Sequence, residues 1–160
     1  MPPEQSKLDR LDLDLIQLMR AEPRAGVREY SRRLGVARGT VQSRLDKLVG
    51  SGVIESFAPT LNAAALGFPL SADVHLTMEQ RSLDVAVSKL KDIPFIIYAD
   101  STAGAEDLTC RVTARDLQHL ENITMMMMAI PGVQRVRTDI ILRQHIAPRV
   151  DPLLDFLKKR

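Results

Sequence analysis

Leu34-Gly35-Val36-Ala37-Arg38-Gly39-Thr40-Val41-Gln42-Ser43-Arg44-Leu45-Asp46-Lys47-Leu48 is the stretch on which the fold turns. Gly35-Val36-Ala37 predicts a tight turn. Val41, Leu45 and Leu48 then recur on one helical face, which predicts a helix over 38–50. Gly50 and Gly52 suit its end. Upstream, Val27, Tyr30, Ser31 and Leu34 face inward on a short helix over 27–34. Before that, Asp9 can cap a helix over 9–21 whose Leu11, Leu15, Leu18 and Met19 form one stripe, with Pro23 as the stop. Val53–Ala58 reads as extended chain. Three helices, a tight turn between the second and third, and a following strand make a winged helix-turn-helix pattern.

Outward from this block the character of the chain changes near Leu61–Pro69. Beyond it, apolar residues alternate as they do in strands. Leu70, Ala72, Val74 and Leu76 alternate, as do Leu108, Cys110 and Val112, and later Val136, Thr138, Ile140 and Leu142. The pattern predicts strand 70–77, helix 82–91, strand 94–101, strand 106–113, helix 116–129 and strand 133–143. Leu117, Leu120, Ile123 and Met127 are the predicted buried side of the last helix. This βαββαβ order is the ferredoxin-like arrangement, two helices on one face of an antiparallel sheet. The chain is therefore α+β. Residues 1–60 are expected to form the winged helix-turn-helix, 61–69 a linker, 70–146 the ferredoxin-like domain and 147–160 a C-terminal tail. Apolar content on the other sheet face is expected to be covered by dimerisation. Met125-Met126-Met127-Met128 goes round most of a helix, so the run is read as core plus oligomer interface.

Length and composition bound the function. The 160 residues are 45% hydrophobic and 26% charged, which excludes wholesale disorder. The longest apolar run, Met125–Ile130, is too short for a bilayer span of roughly 20 residues. Met1–Arg10 lacks the apolar core of a secretory signal, so a cytoplasmic protein without membrane contact is expected. The single cysteine, Cys110, rules out an intramolecular disulfide framework and a cysteine-only zinc site. The net charge of +2 hides an asymmetry: residues 20–49 carry +5 and residues 70–146 carry −2. A basic helical half joined to a mildly acidic half fits a nucleic-acid-binding part attached to a part with another task.

Competing classes find little support. His75, His119 and His145 follow no metal-ligand spacing, and neither GxxxxGK[ST] nor GxGxxG occurs. Cys110 has the alternation of a sheet-face residue, and no catalytic set, metal site or cofactor is expected. An RNA-binding sheet would need exposed stacking aromatics. The chain has six aromatic residues, and Phe95 and Tyr98 point to opposite faces of their strand. A stand-alone metabolite-binding module has no use for the basic half.

The order and spacing of several short motifs resemble the Lrp/AsnC (feast/famine) family of transcriptional regulators across about residues 7–146. The motifs are Leu8-Asp9-x-x-Asp12, Arg24, Leu34-Gly35-Val36, Thr40-Val41-x-x-Arg44-Leu45-x-x-Leu48 and Gly52-Val53-Ile54, then Gly104-x-x-Asp107-Leu108, Asp116-Leu117, Pro131-Gly132-Val133 and Thr138-x-Ile140. The resemblance implies a homodimer that binds double-stranded DNA and assembles further, to a tetramer or octamer. It also implies a RAM-type C-terminal domain that senses an amino acid or related metabolite. Three positions depart from the family. Ala37 stands where a capping serine is usual, a loss of ~1 kcal/mol to the helix. Glu106 replaces a frequent aromatic, and Asp139 a more usual aromatic or aliphatic residue.

A recognition helix reads base edges with its N-terminal residues. Arg38 can grip guanine O6 and N7, and Gln42 adenine N6 and N7. Gly39 permits close approach to DNA, or is simply tolerated in the first turn, and Ser43 shares the outward face. Thr40, Arg44 and Lys47, with Arg28 and Arg32 of the preceding helix, are candidate phosphate contacts. Solvated charges, and for Arg44 an ion pair within the chain, compete with that reading. Gly104-Ala105-Glu106-Asp107 can hold an amino acid zwitterion, with backbone N–H groups on the carboxylate and Asp107 on the ammonium. It can equally form a turn in which Asp107 caps backbone N–H groups. The resemblance implies an effector pocket of Gly104, Asp107, Thr138, Asp139 and Met126, shared with a neighbouring dimer. Unpaired Glu106 and Asp139 in that pocket would favour a basic or polar effector over leucine. A constitutive DNA-architectural protein without effector is the alternative. The tail carries Pro148, Pro152, Leu153, Leu154, Phe156 and Leu157, and the sequence leaves its packing open.

Overall fold

A computed structural model describes residues 8–159, less the side chain of Gln80. They fall into two compact units, residues 8–59 with 146–159, and residues 60–145.

The first unit contains α1 (Arg10–Ala21), α2 (Val27–Leu34), α3 (Arg38–Gly50) and, from the far end of the chain, α6 (Asp151–Lys158). Asp9 caps α1 through a reciprocal box: the Asp12 N–H donates to Asp9 Oδ1 at 2.9 Å, and the Asp9 N–H to Asp12 Oδ2 at 3.2 Å. Gly35 ends α2 in the left-handed region at φ 66°, which only glycine adopts freely, and so makes the tight turn. Ala37 begins α3 without a side-chain cap. The core is Leu13, Leu15, Ile16, Tyr30, Val41, Leu45, Leu48 and Leu154. The stripe predicted for α1 holds only in part, with Leu15 alone of its four residues buried. Leu13 and Ile16 are buried, while Leu11, Leu18 and Met19 are half-buried. The reason is that α1 packs against α2, α3 and α6, so more than one of its faces is covered. Residues 53–58 form no strand, because a ladder needs a partner strand and none pairs with them among the described residues. Ile54 instead donates its N–H to Leu48 O at 3.1 Å and packs on the helical core.

The second unit is β1 (Leu70–Met78), a 3₁₀ turn (Gln80–Ser82), α4 (Leu83–Lys91), β2 (Ile96–Ser101), β3 (Leu108–Ala114), α5 (Leu117–Met128) and β4 (Val133–Ile140). The antiparallel sheet has the order β2-β3-β1-β4. Ala72, Val74, Leu76 and Met78 of β1 and Leu108, Cys110, Val112 and Ala114 of β3 pack against Ala86 and Leu90 of α4 and Leu120, Ile123 and Met127 of α5. Burial pushes the Cys110 thiol up to about 11, so it stays protonated at neutral pH as a small core residue.

Three expectations change. Leu117 is 62% exposed and His119 takes the buried place, its ring centroid 4.3 Å from that of Phe95 with the rings edge to face. Asp116 caps the helix by accepting the His119 N–H, which leaves Leu117 at the open first position of the helix, while Leu120, Ile123 and Met127 are buried as the apolar pattern predicts. The last strand stops at Ile140, one further bond joins the Ile141 N–H to Ser71 O at 2.9 Å, and Leu142 beyond it is exposed. The open face of the sheet is polar rather than apolar: Asp73, His75, Tyr98, Thr109, Arg111, Arg137 and Asp139 lie on it. Arg111 pairs with Asp73 at 2.6 Å and stands over the Tyr98 ring. Of the methionine run only Met127 is buried.

Gly132 holds φ 89°, its carbonyl accepts the Glu79 N–H, and a Cβ there would overlap the Ser82 side chain. Gly132→Ala is expected to lower the stability of the second unit by about 3 kcal/mol, read from urea unfolding.

Candidate nucleic-acid interface and effector site

The outward face of α3 follows from what its inward face must bury. With Val41, Leu45 and Leu48 in the core, Arg38, Gly39, Gln42 and Ser43 are exposed and Thr40 is half-buried. The roll of α3 is fixed by one side chain of α1. Asp12 is fully buried (0% exposed), and its carboxylate accepts from Arg44 Nη1 at 3.0 Å and Lys47 Nζ at 3.1 Å, besides the Asp9 N–H. Arg44 also binds the Asp9 carboxylate. The Asp12 N–H and then Arg44 hold the Asp9 carboxyl below its usual range. A buried carboxylate needs such partners, since an unpaired one costs several kcal/mol.

The remaining basic candidates divide. Arg32 is bound to Glu29 at 2.6 and 3.0 Å, and Arg33 to Glu29 and Glu22. Arg32 and then Arg33 pull the Glu29 carboxyl down to about 2. Arg24, Arg28 and Arg38 have no ion-pair partner among the described residues. Gln42 donates its amide N–H to Asp46 Oδ1 at 2.9 Å, one turn along the exposed face. Sequence reasoning missed the roles of Asp12 and Asp46. The signal for Asp12 was present: an acid three residues after a capping Asp, facing a helix with bases at 44 and 47.

The effector candidates are brought together only in part. Asp107 Oδ2 accepts the Met78 N–H at 2.8 Å, and the Asp107 N–H donates to Leu76 O at 2.9 Å, so this carboxylate ties the loop to the end of β1. Gly104 is exposed, lies outside the left-handed region and has open space around it. Asp139 and Glu106 meet on Arg137, whose Nε stands 3.1 Å from Glu106 Oε1 and whose Nη1 binds Asp139. Asp139 Oδ2 also lies 3.2 Å from His75 Nε2. These two carboxylates are therefore paired, which removes the charge argument for a basic effector. Thr138 stands opposite Val74, on the helix-covered face, while Asp139 stands opposite Asp73 on the open face. Met126 is exposed on α5. A groove of about 320 Å³ between α4 and β2, lined by Val87, Leu90, Lys91, Ile93 and Ile96–Ala99, includes none of the five.

The model of a winged helix-turn-helix DNA-binding domain matches residues 8–55, and that of the Lrp/AsnC ligand binding domain matches residues 71–150. An uncharacterized HTH-type transcriptional regulator of Pyrococcus abyssi is 32% identical over 84% of this chain and 86% of its own. The chain belongs to the Lrp/AsnC family. It is thus a DNA-binding transcriptional regulator of the Lrp/AsnC type, and not an enzyme. The HTH-type transcriptional regulator FL11 of Pyrococcus horikoshii is 29% identical over 86% of this chain and 91% of its own. A feast or famine regulatory protein of Mycobacterium tuberculosis, solved in complex with L-methionine, is 31% identical, with TM-score 0.79 over 89% of this chain and 97% of its own. The structure of Escherichia coli AsnC shares the fold at 20% identity, with TM-score 0.85 over 92% of this chain and all of its own. No helix among the described residues is long and apolar enough to cross a membrane.

For this Lrp/AsnC regulator, Asp12→Asn is expected to cost about 2 kcal/mol in urea unfolding. The neutral amide loses both charged partners, although Arg44 and Lys47 can each turn to solvent.

Proposed function

We propose that this regulator binds DNA as a homodimer, with the exposed face of α3 in the major groove, and that an amino acid or related metabolite shifts its assembly. The observation that carries the DNA half is the division of labour on α3. Arg38, Gly39, Gln42 and Ser43 are presented outward, while Arg44 and Lys47 hold α3 to Asp12. Arg38 and Gln42 read bases. Arg28 and Thr40 reach phosphates, and Arg32 does so by exchanging Glu29 for a phosphate. Arg44 and Lys47 serve as anchors of the helix rather than as phosphate contacts.

Salt dependence tests this. Each phosphate contact contributes close to one unit to the slope of log affinity against log salt concentration. In gel shifts over a salt series, Arg28→Ala is expected to lower that slope by about 1. Arg44→Gln and Lys47→Gln are expected to leave the slope unchanged while weakening binding at every salt concentration. Arg38→Ala and Gln42→Ala are expected to relax base preference, at roughly 1–3 kcal/mol of discrimination each. An unchanged preference in both variants refutes the placement of the reading face.

The effector half rests on the match of residues 71–150 to a ligand binding domain and on the methionine complex of the M. tuberculosis relative. Gly104, Asp107, Thr138, Asp139 and Met126 are the residues proposed for it. Because Thr138 and Asp139 lie on opposite faces of β4, the complete pocket needs a second copy of the chain, in a dimer or a tetramer or octamer built from dimers. Light scattering with each of the twenty amino acids is the check. A size that responds to one of them is expected, whereas DNA binding by an oligomer indifferent to all twenty favours the constitutive architectural role.

A further inference from the structure

The C-terminal helix α6 lies beyond both matched domains, which end at residues 55 and 150. It nevertheless packs on the DNA-binding unit. Arg10, Asp14, Gln17 and Arg20 form one stripe along α1, and Asp151, Leu154, Asp155 and Lys158 form one along α6. The stripes meet in antiparallel order. Arg20 holds Asp151 through two bonds of 2.6 and 2.7 Å, Gln17 donates to Asp155 at 2.7 Å, and Lys158 binds Asp14 and Gln17. Arg10 donates to the Lys158 carbonyl at 3.2 Å. Leu154, 7% exposed, closes the helical core from that side. A parallel docking would set Arg20 near Lys158 and Asp14 near Asp151, so the charges select this direction.

This docking makes the DNA-binding unit discontinuous in sequence. Its two pieces, 8–59 and 146–159, flank the whole of the other unit, which leaves two covalent connections between the units instead of one. The second crosses between residues 145 and 146, within the stretch 141–150 that holds no helix or strand and spans ~35 Å at most. A body held by one flexible segment swivels freely within its reach. A second attachment point narrows that range, since both segments must span their ends at once.

We propose that Asp151, Leu154, Asp155 and Lys158 are positioning residues for DNA recognition. By clasping α1 they hold the DNA-binding unit on two tethers and set the spacing between half-sites that the dimer accepts. The proposal rests on the dimeric DNA-binding reading above.

The test uses the full-length protein and a duplex selected from a random pool by wild-type binding. Versions of that duplex carry spacers altered by about five base pairs, half a helical turn. Wild type is expected to lose at least ~10-fold in affinity on the altered spacers. Leu154→Asp is expected to lose less than ~3-fold, with the affinity for an isolated half-site and the base preference unchanged. D151R/D155R, which alters only exposed side chains, is expected to behave likewise and keeps the test valid if Leu154→Asp fails to fold. Arg20→Asp combined with Asp151→Arg is expected to restore strict spacing, which simple destabilisation of the unit does not explain. Retained strict spacing in D151R/D155R, or a wild type indifferent to spacing, overturns the tether. A wild type that selects no duplex overturns the DNA-binding reading beneath it.

Discussion

The DNA-binding unit depends on a carboxylate that is completely out of water. Asp12 sits at the junction of α1 and α3, and its two oxygens are satisfied by a guanidinium, an ammonium and a backbone N–H. Such a cluster contributes little net stability, because desolvation offsets most of the Coulomb attraction. Its effect is directional. Arg44 and Lys47 are three residues apart on α3, so both reach Asp12 only when α3 is rolled one way about its axis. The same roll puts Val41, Leu45 and Leu48 inward and Arg38, Gln42 and Ser43 outward. Apolar burial and ion pairing thus select one orientation of the reading helix.

This bears on what the charge of the region means. Residues 20–49 carry +5. Five of their bases are nevertheless bound to carboxylates of the same unit: Arg20 to Asp151, Arg32 and Arg33 to Glu29, and Arg44 and Lys47 to Asp12. Arg24, Arg28 and Arg38 are the bases left without an ion-pair partner among the described residues. Formal charge overstates the number of groups ready to meet phosphate, since a base engaged inside the fold has to exchange one partner for another.

The second unit has two chemically unlike faces on one sheet. The helix-covered face is apolar and carries the core. The open face is a network in which Arg111 links Asp73 to Tyr98 and Arg137 links Glu106 to Asp139 and, through it, His75. A surface of paired charges discriminates between partners by alignment more than by area. Asp107 stands apart from this network. Its hydrogen bond to the Met78 N–H makes it a structural end-cap of β1 whatever else it binds.

Periodicity determined the three helices of the first unit and the βαββαβ order of the second, because helix and strand repeats of 3.6 and 2 are local properties of the chain, but the strand it suggested over 53–58 has no partner strand among the described residues and does not form. The helices over 27–34 and 38–50 and the Gly35 turn were legible for that reason, and the motif order identified the family. Long-range pairing was not legible. That Arg44 and Lys47 turn to Asp12, that Arg137 reaches Glu106 as well as its near neighbour Asp139, and that His119 is buried against Phe95 while Leu117 is exposed all depend on neighbours distant in sequence. The tail shows the division most plainly. Its sequence holds a short apolar set with acids at 151 and 155 and a lysine at 158, and leaves its packing open. Only the tertiary structure supplies the α1 stripe of opposite charge that decides where this helix docks.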